Sequence, residues 1–355
     1  MTESERLSLC APPLAAWYAG AARDLPWRRT RDPYRVWVSE IMLQQTRVEA
    51  VRGYYARFLA AFPTAAALAR APEEQVLKLW EGLGYYSRAR ALHAAAAQIA
   101  AHGFPADHDG LLALPGVGPY TAAAVGSICF SLPTPAVDGN VLRLCSRLLC
   151  DSRPVGGADV RRDYTRWLTP AYEQHDPGLL TQSLMELGAT VCGPNGPPGC
   201  ERCPLAALCL ARAAGRAEAL PVRAAKKARR AEQKTVFLLR CGDRLAVCRR
   251  PKTGLLASLW ELPNVPGLLA PQEAAAQAEA WGVKPVSLLE QTARRHIFTH
   301  IEWELRGFSF SCACESARFT WADAAALRGR VALPTAFRQF LGPGDFKTEE
   351  QQTDE

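Results

Sequence analysis

Four cysteines fall within eighteen residues in the stretch CGPNGPPGCERCPLAALC: Cys192, Cys200, Cys203 and Cys209, spaced C-x7-C-x2-C-x5-C. Thiolates this close can wrap one compact centre, and the Gly/Pro-rich first loop suits a chain that must bend around it. The N-terminus, MTESERLSLCAPP, lacks the basic-then-apolar order of a secretory signal. A disulfide framework is therefore a poor reading, and clustered cysteines read better as metal ligands. Zinc is one candidate, but zinc sites usually pair two short C-x2-4-C hairpins, and only one pair here is that close. A [4Fe–4S] cluster, larger and held by four cysteines, tolerates uneven spacing better. Four unliganded thiols, or a redox role for the C-x-x-C pair alone, are weaker alternatives, because neighbouring thiols oxidise readily and no strand–helix unit precedes the pair.

Two carboxylates could also do chemistry. DPYRVWVSEIMLQQTRVEAV reads as a helix beginning near Pro33, which surrounds Glu40 one turn away with Val36, Trp37, Leu43 and Gln44. A carboxyl on that apolar face is partly desolvated, its pKa rises toward neutrality, and it can hold a proton to deliver as a general acid. Pairing of Glu40 with a basic side chain elsewhere is an equal alternative. Asp138, in TPAVDGNVLRLCSRLL, stands just before an apolar-periodic helix. Taken alone it reads as an N-cap. The sharper reading is a second carboxylate, kept ionised by the amide donors of the helix. One neutral acid and one anion flanking a C–N glycosidic bond could cleave it, the acid protonating the base and the anion stabilising the cationic sugar.

LPGVGPYTAAAV, Leu114 to Val125, has the form helix, glycine-bracketed turn, helix. Gly116 and Gly118 let backbone N–H groups approach an anion, Pro119 suits the first turn of the next helix, and phosphate is a natural guest. A plain tight turn would look the same.

The elements that must position these groups divide the 355-residue chain. Residues 1–211 read as mostly helical, as in EEQVLKLWEGL and YSRARALHAAAAQIAAHG, and FPTAAALARAPEEQVLKLW reads as two short helices parted by Pro72. Residues 212–234 hold eight basic and two acidic side chains and read as a basic linker. From 235 to 342 the period changes: TVFLLRCGDRLAVCRR reads as two strands about a Cys241-Gly242-Asp243 turn, IEWELRGFSF alternates, and PQEAAAQAEAWG is a helix ended by glycine. Residues 343–355 read as an acidic disordered tail. The net charge is +7, yet the last eleven residues carry one lysine and five acids, so the body is more basic still and favours an anionic partner, nucleic acid first. No apolar run approaches the ~20 residues of a membrane span. The expectation is a soluble, intracellular, cytoplasmic protein.

These residues together resemble the adenine DNA glycosylases of the MutY family, within the endonuclease III helix-hairpin-helix superfamily. The resemblance runs through LPWR, VWVSEIMLQQT, GLGYYSRAR, LPGVGPYTA, VDGNV, the cysteine loop and RHIFTH, covering most of residues 25–305. It implies an all-α, two-lobed helix-hairpin-helix glycosylase domain with an iron–sulfur loop: a six-helix lobe at about 30–133, and a lobe combining 1–29 with 134–211 that holds a [4Fe–4S] cluster on Cys192, Cys200, Cys203 and Cys209. It further implies a C-terminal α+β Nudix-like domain at 235–342 that reads 8-oxoguanine. The implied activity is removal of adenine mispaired with 8-oxoguanine or guanine in duplex DNA, as a monomer, in base excision repair, with the protein nucleoid-associated through DNA.

By the same resemblance Glu40 protonates adenine and handles the attacking water, Asp138 stabilises the sugar cation, and Asn140 supports that site. Gln45 enters the base stack, Tyr85 wedges beside 8-oxoguanine, and Trp27 and Arg28 border the adenine pocket. Without the resemblance, Trp27, Tyr85 and Tyr86 read as core aromatics and Gln45 as a solvated helix face. Lyase-competent relatives carry a lysine where this chain has Tyr120; a phenol cannot form their imine, so base release without strand cleavage is expected. In the family a tyrosine here can also contact the catalytic aspartate. Phe298, Thr299 and His300 match a family Phe-Ser-His triplet, with threonine keeping the hydroxyl. The stretch after Gly254 lacks the paired glutamates of a Nudix hydrolase, so that domain reads as a recognition module. The first cysteine spacing is seven residues where the family usually has six. The rival readings are a bifunctional lyase acting on oxidised pyrimidines, a non-catalytic DNA-binding protein and a nucleotide hydrolase.

Overall fold

The computed structural model describes residues 1–223 and 228–346. Their contacts divide into two units, one of residues 1–70 with 91–223, the other of 71–90 with 228–346.

The first unit is helical. The helix Pro33–Leu43 starts where Asp32 caps it, its carboxylate accepting from the Arg35 amide at 2.8 Å, with Pro33 in the first turn. It does not run through to Val51 as its sequence suggests. It stops at Leu43, and a second helix, Val48–Ala61, follows a turn in which Gln45 takes φ 58°. A non-glycine residue in the left-handed region is uncommon and marks a turn under local constraint. The helix Pro119–Phe130 leaves the glycine turn, and Gly139–Leu148 starts at Asp138. One core packs the N-terminal Leu7, Cys10 and Leu14 against Val141, Leu144 and Leu148 and against Leu180, Leu184 and Leu187 of the helix Pro177–Thr190. The N-terminal segment is thereby tied to elements more than a hundred residues away in sequence.

Part of the stretch read as a linker belongs to this unit. Leu220 is buried, its carbonyl accepts from Arg147 Nε at 2.9 Å, and the Val222 carbonyl accepts from the Val155 amide at 3.1 Å. Residues 224–227 lie outside the described residues, and Arg230 already begins a strand. The spaced basic residues masked the short apolar anchor at Leu220.

The second unit is a mixed sheet of β1 (Arg230–Cys241), β2 (Arg244–Arg249), β3 (Trp260–Glu261), β4 (Asn264–Pro266), β5 (Pro285–Ile297), β6 (Ile301–Cys312) and β7 (Thr320–Ala322). The order is β3-β2-β1-β6-β5; β1 and β6 pair in parallel and β5 and β6 antiparallel. The β6 alternation places Trp303 and Leu305 in one core, and the helix Pro271–Ala280 covers the other face, ended by Gly282 at φ 82°. The sequence placed residues 71–90 in the helical domain. Here they pack with the C-terminal unit: Lys78 donates to the carbonyls of Leu327 and Val331, and Glu81 accepts from the Leu333 amide at 2.7 Å. Their helical periodicity is real, in Glu73–Leu79, but says nothing of which core their apolar face joins. The tail also begins later than expected. Pro343–Phe346 forms a single helical turn in which Asp345 pairs with Arg240; 347–355 lie outside the described residues.

Candidate active site

Trp27, Arg28, Glu40, Gln45, Gly116, Gly118, Tyr120, Asp138 and Asn140 all line one open pocket of about 930 Å³ in the helical unit. Glu40 is 6% exposed. Burial pushes its carboxyl up to about 7, the charge of Asp138 adds to that, and the hydrogen bond from Tyr120 opposes it. That bond is the defining contact of the site: the Tyr120 hydroxyl donates to Glu40 Oε2 at 2.7 Å. Of the two sequence readings of Glu40, the desolvated carboxyl with a raised pKa is the one the structure carries. Tyr120 engages the glutamate where the resemblance pointed to the aspartate, and the hydrogen-bond partner of Glu40 is a phenol rather than a basic side chain.

Asp138 is both an N-cap and a pocket carboxylate. Its Oδ1 accepts from the amides of Asn140 and Val141 at 2.9 and 2.8 Å, and its Oδ2 accepts from Asn140 Nδ2 at 2.8 Å. Burial raises the Asp138 carboxyl above its ordinary range, and these three donors act against that rise. Asn140 is held in turn: Arg143 Nη2 donates to its Oδ1 at 2.8 Å. The same Arg143 donates to the carbonyls of Gly188 and Cys192 at 2.6 and 2.7 Å. Gly188 lets the helices carrying these groups close on each other, since a Cβ there would meet Asn140 Cβ at 2.7 Å. Neither Arg143 nor Gly188 was singled out in sequence; an arginine within an apolar helix was the available signal.

The two hairpin glycines have different reasons. Gly116 sits at φ 74°, and a Cβ on it would lie 2.5 Å from Ala91 Cβ, so conformation and packing both require glycine. A Cβ on Gly118 would meet nothing within 4 Å, so its missing side chain leaves open space at the start of Pro119–Phe130. Across the pocket, Trp27 packs edge-on to Tyr55 at 5.3 Å. Arg28 Nη2 donates to Glu186 at 2.6 Å, and Arg23 donates to the same carboxylate through Nε and Nη2 at 2.8 Å each. Burial would raise the Glu186 carboxyl, but the two guanidinium groups hold it down at about 2. Glu186, missed in sequence, was visible only as a lone acid in the apolar run SLMELGAT. Gln45 is exposed at the rim, neither core nor helix face, and its neighbour Gln44 donates to Thr121 Oγ1 at 3.1 Å.

Tyr85, Phe298, Thr299 and His300 belong to the second unit. Phe298, Thr299 and His300 form the turn between β5 and β6, closed by the Phe298 amide to the Ile301 carbonyl at 2.8 Å. Phe298 packs between His296 and Trp303, at 4.5 and 4.8 Å. Tyr85 is 47% exposed, not a core aromatic, at φ 49°, and its hydroxyl lies 3.1 Å from Thr299 Oγ1. Two of the glutamates after Gly254 have other work: Glu261 pairs with Arg250 and accepts from Asn264, and Glu273 caps its helix at the Ala270 amide.

Cys192, Cys200, Cys203 and Cys209 line one small pocket with Arg147, whose Nη1 donates to Cys192 Sγ at 3.1 Å. Among the described residues no three Cys, His, Asp or Glu side chains converge as they would on a single metal ion. A four-iron cluster takes one thiolate per iron at its corners, so four separated thiols around a shared hollow fit it. The extra residue of the first spacing is absorbed within the loop, since Cys192 still faces the same pocket.

A helical hairpin beside a carboxylate-bearing pocket defines the class of the first unit, and the comparisons agree. Residues 38–170 match the HhH-GPD superfamily of base excision DNA repair proteins, and residues 235–342 match the NUDIX domain. A solved thermostable thymine-DNA glycosylase superposes with a TM-score of 0.52 at 25% identity, covering 59% of this chain and 98% of that one. The adenine DNA glycosylase of Rattus norvegicus is 32% identical over 92% of this chain and 77% of its own length. That of Arabidopsis thaliana is 36% identical over 71% of this chain, which spans 46% of the plant protein. The chain belongs to the adenine DNA glycosylase family, enzymes that hydrolyse N-glycosyl bonds in DNA. No helix among the described residues is long and apolar enough to cross a membrane.

Proposed function

We propose that this protein hydrolyses the N-glycosidic bond of adenine paired with 8-oxoguanine or guanine in duplex DNA and leaves the strand intact, acting as a monomer in the cytoplasm. The observation that carries the chemistry is the convergence of Glu40 and Asp138 on one pocket, with unequal surroundings. Glu40 is buried with a carboxyl near 7, so at neutral pH it holds a proton for a substantial share of the time and can hand it to the departing base. Asp138, aimed into the pocket by three donors, places negative charge where the sugar becomes cationic. Glu40, once deprotonated, takes a proton from the attacking water. Tyr120 tunes Glu40 through its hydrogen bond.

Monofunctional release is supported by the pocket's composition: no lysine is among its described lining residues, and the phenol at position 120 is committed to Glu40. Extruding a base from the stack costs a few kcal/mol. Gln45 at the pocket rim is suited to fill the vacated space, Trp27 and Arg28 to wall the extruded base, and the backbone at Gly116 and Gly118 to hold phosphate. Cys192, Cys200, Cys203 and Cys209 would hold a [4Fe–4S] cluster that would fix the shape of the loop 192–209; iron and acid-labile sulfide at a ratio of about one to one in the purified protein is expected, and zinc in their place would remove it.

The second unit is the reader of 8-oxoguanine, with Tyr85, Thr299 and His300 as its polar and aromatic contacts. Replacing Thr299 and His300 together by alanine is expected to lower the preference for 8-oxoguanine over guanine opposite adenine by about tenfold, the worth of one or two lost hydrogen bonds. Unchanged discrimination would mean that this turn reads something else. The function itself is tested by single-turnover reaction of duplexes with adenine opposite 8-oxoguanine, developed with and without alkali. Strand breaks that appear only after alkali are expected. Breaks without alkali, together with a borohydride-trapped adduct, would make the protein a lyase.

A further inference from the structure

We infer that Tyr18 is a positioning residue for base release, setting two pocket-lining side chains from behind without itself lining the pocket; this rests on the glycosylase reading above. Tyr18 lies on the helix Ala11–Ala21, distant in sequence from every motif. Its hydroxyl donates to Gln182 Oε1 at 2.7 Å, and the Arg28 guanidinium lies 5.6 Å from its ring centroid. Both partners line the pocket that holds Glu40 and Asp138, whereas Tyr18 does not. The half-buried phenol therefore joins two walls: Gln182, from Pro177–Thr190, through its hydroxyl, and Arg28, from the turn Pro26–Arg28, through its ring. Arg28 has a second anchor in Glu186, whereas among the described residues the Tyr18 hydroxyl is the hydrogen-bond partner of the Gln182 side chain, a long amide that would otherwise sample several rotamers. Fixing it gives the pocket an amide of set position to meet the polar edge of an extruded base. A base held within reach of Glu40 for more of the time departs faster, because small misplacement of reacting groups slows a reaction steeply.

The test is a double-mutant cycle on the full chain with its metal centre, read as the single-turnover rate of adenine release. Tyr18→Phe removes only the hydroxyl, and Gln182→Ala removes its partner. Each is expected to slow release by about tenfold, and the double variant should be no slower than Gln182→Ala, because the hydroxyl acts only through that amide. Thermal midpoint and affinity for the intact mispaired duplex should stay at wild-type values. Tyr18→Leu, which also removes the ring behind Arg28, should be about threefold slower than Tyr18→Phe. Losses that multiply to about a hundredfold in the double variant, or wild-type release by Tyr18→Phe, overturn the assignment. A purely structural tyrosine would lower the thermal midpoint and act equally with and without Gln182. Wild-type protein that released no adenine would instead defeat the glycosylase reading, a result separate from either outcome of the cycle. If Tyr18→Phe folds poorly, the ratio of Gln182→Ala to wild type, compared on duplexes carrying adenine and purine, still reads whether that amide meets the base; no difference between the two bases also overturns the proposal.

Discussion

Asp138→Asn should lower the single-turnover rate of adenine release by on the order of 10³-fold or more while binding to the same mispaired duplex survives. The substitution keeps the shape of the side chain and its capping capacity, since asparagine caps helices about as well as aspartate. The Oδ1 contacts with the amides of Asn140 and Val141 can persist, so the helix Gly139–Leu148 should still form. What disappears is one negative charge, in a buried position where charge is felt strongly. If that charge stabilises the cationic sugar, the loss falls on the rate of the chemical step and not on affinity. Turnover near the wild-type level in a folded variant would take Asp138 out of its role. A loss shared equally by rate and affinity would make it a structural cap alone.

Glu40→Gln should likewise reduce release by about 10²- to 10⁴-fold, the span of a general acid. The pH dependence is the sharper test. With the Glu40 carboxyl at about 7, the proton-carrying form prevails below that value, so the wild-type rate should fall about tenfold per pH unit above it. Tyr120 stabilises the ionised form of Glu40, so Tyr120→Phe should move this descending limb to higher pH. Asp138→Asn removes a like charge and should move the limb of any residual activity to lower pH. Stability carries the same signature with a definite sign. The carboxyl binds its proton up to about 7 in the native state, against 4.5 for an unperturbed glutamate. Between those values the native state holds a proton that the unfolded state has lost, so wild-type stability declines as pH rises through that window. Glu40→Gln abolishes the titration and should unfold at a higher temperature than wild type above pH 7. A flat pH–rate profile from 5 to 9 in the wild type would sink the assignment of Glu40 as the acid.

The helical hairpin, the break at Pro72, the shift from helical to strand period and the cysteine loop were all legible in sequence, because each depends on neighbours within a few residues. Gly116 is such a case: its φ of 74° follows from a local turn, and glycine announces it. Gln45 and Tyr85 were not legible in the same way. Both occupy left-handed backbone without being glycine, so nothing in their residue type warned of the turn. The Tyr85 hydroxyl meets Thr299 Oγ1, a partner 214 residues away in sequence.

Residues 71–90 make the same point at larger scale. Their helix could be read from its spacing, but amphipathic periodicity specifies only that a face will be buried, not against which core. By itself the sequence determined the kinds of chemistry present: four thiols in one loop, a carboxyl on an apolar helix face, a carboxyl at a helix start and a phenol where an amine nucleophile would stand. Tertiary structure alone decided the partnerships, placing Tyr120 on Glu40, Arg28 and Arg23 on Glu186, and Tyr18 behind Gln182. These pairs lie from 80 to 164 residues apart, and hydrogen bonds of that range follow from the packing of whole helices, which no local pattern encodes.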